Sequence, residues 1–122
     1  MELTNTNLRY LLAIYDLSRV RLEVSSKDIA QLLAVSRASV TSMMTSLIDK
    51  RLVDKERYGK IHLTGPGLTL ARALSGQADQ LALDLRARMD LSGEEARRAA
   101  CAAVCQLPRR CFGSGWLDAV PA

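Results

Sequence analysis

Hydrophobic residues along the first third of the chain recur at the spacing of amphipathic helices. A first helix is predicted at about residues 5 to 19, because one face carries the i, i+3, i+4, i+7 series Leu8, Leu11, Leu12 and Tyr15. Ser25 and Asp28 form a capping-box-like start for a second, short helix, which is predicted to end near Ala34. The residues predicted to point inward from this helix are Ile29, Leu32 and Leu33.

A third helix and a hairpin are predicted next. Ser36 can cap a helix at about residues 37 to 50, which has an apolar side and an unusual, hydroxyl-rich outer side. The apolar side carries Val40, Met44, Leu47 and Ile48, and the outer side carries Arg37, Ser39, Thr41, Ser42 and Thr45. The segment LVDKERYGKIHLT then predicts a β-hairpin around Gly59, because Ile61 and Leu63 alternate with polar residues.

The second half of the chain predicts two more helices and a tail. A long helix at about residues 66 to 89 carries an apolar stripe of Leu74, Ala78, Leu81 and Leu85. Ser92, followed three residues later by Glu95, starts a fifth helix that Pro108 ends. Because a small winged core cannot cover the stripe and the alanine-rich fifth helix, we expect both to be buried between two subunits. Residues 108–122 are predicted to be a tail, in which Phe112 and Trp116 are candidates for docking.

The order of these elements is that of a winged helix-turn-helix protein. The predicted fold class is mainly α, with a winged helix-turn-helix domain at residues 1–65, a helical dimerisation region at residues 66–107 and the tail. In this motif the second helix of the pair enters the major groove of DNA, and the wing lies along phosphates or the minor groove. The candidate DNA-binding residues are therefore Ser36, Arg37, Ser39, Thr41 and Ser42 on the third helix, and Arg57, Tyr58 and Lys60 on the wing.

Composition narrows the class of protein. The chain has 122 residues, 48% hydrophobic and 25% charged, which is typical of one soluble folded domain. No apolar run is long enough for a membrane helix and no signal peptide is evident, so we expect a cytoplasmic protein without a membrane partner. Seventeen basic against thirteen acidic residues are compatible with a polyanionic partner. With a single histidine, no Ser/His/Asp set and no phosphate-binding loop, the sequence does not indicate an enzyme.

Two stretches resemble a known family. NLRYLLAIYDLSR and VSSKDIAQLLAVSRASVTSMMTSLIDKRLVDKERYGKIHLTGPG are similar to the N-terminal domain of the metal-dependent repressors related to the diphtheria toxin repressor and the manganese transport regulator. The resemblance continues more weakly through SGEEARRAAC and covers roughly residues 7 to 107. It implies a homodimeric transcriptional regulator, a repressor, that binds palindromic operator DNA. The dimer contacts would come mainly from the fifth helix and neighbouring parts of the first and fourth helices. The competing hypothesis is a winged-helix interaction module that has lost DNA binding.

The same resemblance implies a metal site that this sequence does not reproduce. In the family, ligands for a divalent metal come from the first, long and fifth helices. The corresponding positions here are Arg9, Leu12, about Ala78, Cys101, Val104 and Cys105. Only the two cysteines can bind a metal, and manganese or iron(II) prefers oxygen and nitrogen ligands. We therefore expect that this protein is not a manganese sensor of the usual kind.

The cysteines of the segment CAAVC have three interpretations. In the first, they are small hydrophobic residues that let helices approach closely. In the second, zinc, copper(I) or an iron-sulfur cluster is bound by Cys101, Cys105 and Cys111 with a fourth ligand from elsewhere. In the third, they are redox-sensing thiols. A disulfide framework is not expected from three cysteines in a chain without a secretion signal. His62 is predicted to be a surface or DNA-facing residue of the wing.

Overall fold

The computed structural model describes residues 3–107, which form five helices and one hairpin. The elements are α1 (Asn5–Val20), α2 (Ser26–Leu33), α3 (Arg37–Asp49), β1 (Val53–Lys55), β2 (Ile61–Leu63), α4 (Gly65–Arg88) and α5 (Gly93–Val104). The two strands are antiparallel, with Asp54 opposite His62. The mainly α winged helix-turn-helix fold is confirmed. The predicted tail, with Phe112 and Trp116, lies outside the described residues.

Local side-chain caps explain where the helices begin. Ser25 and Asp28 form a reciprocal capping box, in which the Ser25 backbone N–H donates to the Asp28 carboxylate at 3.0 Å. This hydrogen bond lowers the pKa of Asp28, so the side chain is a carboxylate at the positive end of α2. Ser92 and Glu95 repeat the arrangement at the start of α5. These starts agree with the sequence prediction because a cap involves only residues close together in the chain.

Helix α1 is the centre of the core. It contacts α2, α3, β2, α4 and α5, and it is buried on more than one side. Its buried apolar residues are Leu8, Tyr10, Leu11, Leu12, Ala13, Ile14 and Leu17. The helix-turn-helix pair therefore packs on one side of α1 and the two C-terminal helices pack on another. None of the helices within residues 3–107 has the length and hydropathy that a membrane crossing requires.

Two residues that the sequence placed in the core are exposed. Leu32 is 52% exposed and Ile48 is 38% exposed, so both predictions are wrong. The buried side of α3 is narrow and consists of Val40, Met44 and Leu47. Because Ile48 is rotated about 100° around the helix axis from Leu47, it lies outside this buried side. In α2 the buried residues are Ile29 and Ala30, which leaves Leu32 beside a groove between α1 and α5.

The apolar stripe of α4 is covered within a single chain. Leu74 and Ala78 are fully buried, as are Ala96 and Ala100 of α5, because α5 packs along α4. Alanine side chains allow this close approach of two helices. The expectation that a second subunit buries the stripe is therefore wrong for Leu74 and Ala78, whereas Leu81 and Leu85 are only partly buried.

Candidate nucleic-acid interface

A tight turn joins the two helices of the DNA-binding motif. Helix α2 ends at Leu33, and the capping residue Ala34 has the left-handed conformation with φ of 56°. The Val35 backbone N–H donates to the Ala30 carbonyl at 3.1 Å, which closes the turn. Ser36 then caps α3, since its hydroxyl accepts a hydrogen bond from the Ser39 backbone N–H at 3.0 Å. The turn sets α3 against α2, and α3 presents its remaining side to solvent.

The side chains of α3 divide into a buried side, an outer face and two flanks. Successive residues of a helix are rotated by about 100° around its axis, which places Ser42 and Thr45 on the side away from the buried residues. Arg37 and Thr41 lie on one flank, and Ser39 lies on the other, facing a groove beside α1. All five side chains are exposed, as the sequence predicted. Thr45 belongs to the central part of this face, although the motif by itself did not single it out for DNA contact.

Most hydroxyl groups on this face have one hydrogen bond already. Thr41 donates to the Arg37 carbonyl at 3.0 Å and Thr45 donates to the Thr41 carbonyl at 3.2 Å. Their oxygen atoms keep free acceptor positions toward solvent. Within residues 3–107, neither the Arg37 guanidinium nor the Ser42 hydroxyl has a hydrogen-bond or ionic partner. Arg37 is thus an unpaired cation at the N-terminus of α3, available for an acceptor on a ligand.

The wing tip is a tight turn with exposed basic and aromatic side chains. The Glu56 backbone N–H donates to the Lys60 carbonyl at 2.7 Å, and Gly59 has φ of 92°, a conformation that favours glycine. Tyr58 is 88% exposed, and Arg57 is exposed without a partner among the described residues. Lys60 differs, because its ammonium lies 2.8 Å from the Glu23 carboxylate, and this contact raises the pKa of Lys60.

His62 of the wing is an exposed residue, as expected. Its Nε2 lies 2.8 Å from the Glu56 carboxylate on the neighbouring part of the hairpin. It is on β2, whereas the CAAVC cysteines are at the end of α5.

The cysteines of α5 lie close together in an apolar setting. Cys105 is buried and Cys101 is partly buried, and both line a groove with α1 and α2. Burial raises the pKa of the Cys101 thiol, and burial together with Cys101 raises the pKa of Cys105 to about 12. Without a metal ion both groups are therefore neutral thiols at physiological pH, and an ion that bound them would release their protons. Cys111, the third predicted ligand, lies outside the described residues.

The described residues do not fit a hard divalent metal ion. Nowhere in residues 3–107 do three or more His, Cys, Asp or Glu side chains form a group that could hold one. Arg9, Leu12 and Ala78, at the positions where the resemblance implies ligands, offer a cation and two apolar side chains. The cation beside Cys101 is instead the guanidinium of Arg97, which donates a hydrogen bond to its sulfur.

An exposed second helix of the pair and a basic wing tip define a winged helix-turn-helix protein of the DNA-binding class. Residues 2–61 match the family model "Iron dependent repressor, N-terminal DNA binding domain". This part of the chain is thus similar to the DNA-binding domain of the iron-dependent repressor family. No curated protein sequence matches the chain.

Solved structures support the same family. IdeR from T. acidophilum is 21% identical with a TM-score of 0.76, over 92% of this chain and 52% of that chain. The manganese regulator SloR is 26% identical with a TM-score of 0.70, over 92% of this chain and 51% of that chain. The apo form of the manganese-activated repressor ScaR is 26% identical with a TM-score of 0.64, over 93% of this chain and 59% of that chain. The chain thus spans about half the length of the first two proteins.

Proposed function

We propose that the protein is a transcriptional repressor that binds double-stranded operator DNA through α3 and the wing. The observation that supports this most directly is the family match at residues 2–61, which covers α3 and the wing turn. In this segment the exposed face of α3 combines hydroxyl acceptors with the unpaired Arg37 guanidinium. These are groups that hydrogen-bond to base edges and phosphates. With DNA as its partner, we propose a cytoplasmic location for the protein.

The residues of α3 have distinct proposed roles. Ser42 on the outer face is in position to contact base edges, and Arg37 on the flank is in position for a guanine or a phosphate. Ser36, Ser39 and Thr41 lie near the start of α3, where hydroxyls and backbone N–H groups contact phosphates. Thr45 extends the outer face by one turn and joins the proposed set.

The test of this function is an electrophoretic retardation assay with the DNA upstream of the protein's own coding sequence. A repressor of this kind is expected to shift that fragment at a protein concentration at which an unrelated duplex of equal length stays free. Equal weak binding to both duplexes, or no binding to either, would favour the interaction module that has lost DNA binding.

On the wing, Arg57 and Lys60 are expected to differ in their effect on DNA affinity. Arg57→Ala should weaken binding to all duplexes alike and reduce the slope of log affinity against log salt by about 0.9, the value for one phosphate contact. Lys60→Ala should change the slope less, because Lys60 must leave Glu23 before it can contact a phosphate. Titrations at several salt concentrations measure both slopes. A larger change for Lys60→Ala than for Arg57→Ala would contradict these roles.

We propose further that the repressor is a homodimer on a palindromic operator. In a symmetric dimer a two-fold axis relates the two recognition helices and fixes the distance between them. The DNA site therefore has two half-sites related by the same symmetry. Large apolar side chains remain exposed in the C-terminal half of the chain at Leu83, Met89 and Leu107. Sedimentation at micromolar concentration is expected to give a mass of twice 13.4 kDa. A monomer under these conditions would exclude the dimer.

A soft metal ion or an iron-sulfur cluster at Cys101, Cys105 and Cys111 stays a prediction. The burial of Cys105 and the apolar side chains around both cysteines support the packing interpretation for Cys101 and Cys105. Elemental analysis after anaerobic purification decides between them. Zinc, copper or iron bound to the wild type but not to the double variant Cys101→Ser, Cys105→Ser would establish a metal site.

A further inference from the structure

Arg97 of α5 lies where three helices meet. Its Nε donates to the Asp79 carboxylate of α4 at 2.7 Å, and its Nη2 donates to the Ser75 hydroxyl of α4 at 2.9 Å. Its Nη1 donates to the Asp16 carboxylate of α1 at 3.2 Å and to the Cys101 thiol of α5. All three nitrogen atoms of one guanidinium are therefore engaged, and together they connect α1, α4 and α5.

This cluster is partly buried. The side chain of Arg97 is 25% exposed and that of Asp16 is 32% exposed, Ser75 is buried, and the side chain of Asp79 is 61% exposed. Burial disfavours the charge, but the hydrogen bond to Asp79 and the charge of Asp16 outweigh it and raise the pKa of Arg97. The guanidinium is planar and always charged, and its donors are fixed in direction, so it suits a site with several acceptors.

The connected helices are the ones from which the resembling family is expected to draw its metal ligands. The matched domain family is described as iron dependent, and the similar repressor ScaR is described as manganese-activated. In the present chain, Arg9, Leu12 and Ala78 provide no ligand at the expected positions. The guanidinium of Arg97 already pairs with Asp16 of α1 and Asp79 of α4, and its single positive charge offsets one of these two negative charges.

We propose that Arg97 is a built-in cation that connects α5 to α1 and α4 permanently, so that DNA binding by this protein requires no divalent metal ion. The proposal rests on the proposed DNA-binding function. Arg97 acts as a positioning residue, since it fixes the C-terminal helices against α1, on which α2 and α3 also pack. Because Arg97 is part of the chain, it supplies this constraint whether or not a metal ion is present.

The test compares DNA affinity and helix protection in four proteins, the wild type, Arg97→Ala, Arg97→Lys and Arg98→Ala. Arg98 is the matched control, because it is the next residue, is exposed and, within residues 3–107, forms its salt bridge with Glu94 of its own helix. Operator affinity is measured by titration in EDTA and again with added Mn²⁺, Fe²⁺ or Zn²⁺. Hydrogen exchange of the α5 amides is measured under the same conditions without DNA, and the melting temperature shows that each variant is folded.

For the wild type and Arg98→Ala, we expect the same DNA affinity and the same slow exchange of α5 in EDTA and in each metal. Arg97→Ala should lose about tenfold or more in affinity, within the usual range of coupling between sites, and α5 should exchange faster. Arg97→Lys should fall between the two, because lysine keeps the charge but not the planar set of donors.

Each contrary result overturns a defined statement. A wild type that binds DNA only with added metal contradicts the built-in cation, although DNA binding itself is then established. Full DNA affinity and unchanged α5 exchange in Arg97→Ala also overturn it. If the wild type binds no DNA in any condition, the proposed function fails, and the exchange of α5 still shows whether Arg97 connects the helices without metal.

Discussion

Gly67→Ala is expected to destabilise the protein by about 3 kcal/mol, the upper part of the usual range for overpacking. A Cβ atom at this position would lie 1.9 Å from the carbonyl oxygen and 2.9 Å from the carbonyl carbon of Leu52. The contact is with backbone, so no side chain can rotate away. The same Leu52 carbonyl accepts a hydrogen bond from the Thr64 backbone N–H at 3.1 Å, and a shift of α4 would weaken it.

Gly76→Ala is the matched control for this prediction. Gly76 is in the same helix, and a Cβ atom there would have no other atom within 4 Å. Alanine is the better helix former, so this change should stabilise the protein by about 0.5–1 kcal/mol. Urea unfolding of both variants measures the two effects. Equal unfolding midpoints would show that α4 does not pack directly on the backbone of Leu52.

Arg37→Ala is expected to reduce operator affinity by about 1–3 kcal/mol, which is about 5- to 150-fold. The sequence preference should also become weaker, because an arginine that contacts a base contributes to discrimination. The free energy of unfolding should hardly change, since Arg37 is exposed and has no partner among the described residues. Titration of the operator and of a variant with one half-site changed measures both effects.

The control for Arg37 is an arginine far from the wing. Arg88 is the last residue of α4, which starts beside β2, so it lies about 34 Å along the helix axis from that start. It is exposed like Arg37, and Arg88→Ala removes the same charge from the protein. Operator affinity should be nearly the same as in the wild type. If both variants lose affinity equally, total charge rather than a contact by α3 explains the binding.

Near neighbours in the chain explain what the sequence predicts well. The start of α2 depends on the contact between Ser25 and Asp28, and the start of α5 depends on the one between Ser92 and Glu95. Helical periodicity identified α1 and α4, and the order of elements identified the winged helix-turn-helix fold with its exposed recognition face. Caps and periodicity act within one or two helical turns, and the order of elements follows the chain, so all of them can be read without knowledge of the tertiary structure.

Local patterns in the chain were thus enough to predict the elements, the DNA-binding fold and the exposed residues of α3 and the wing. Which surfaces meet depends on the packing in three dimensions: α5 covers the Leu74 and Ala78 stripe within one chain, and Lys60 of the wing pairs with Glu23. It also brought Asp16 to Arg97, 81 residues away. The physical reason is that packing and ion pairs depend on how elements approach in space, and hydrophobic periodicity shows that a face is buried but not what buries it.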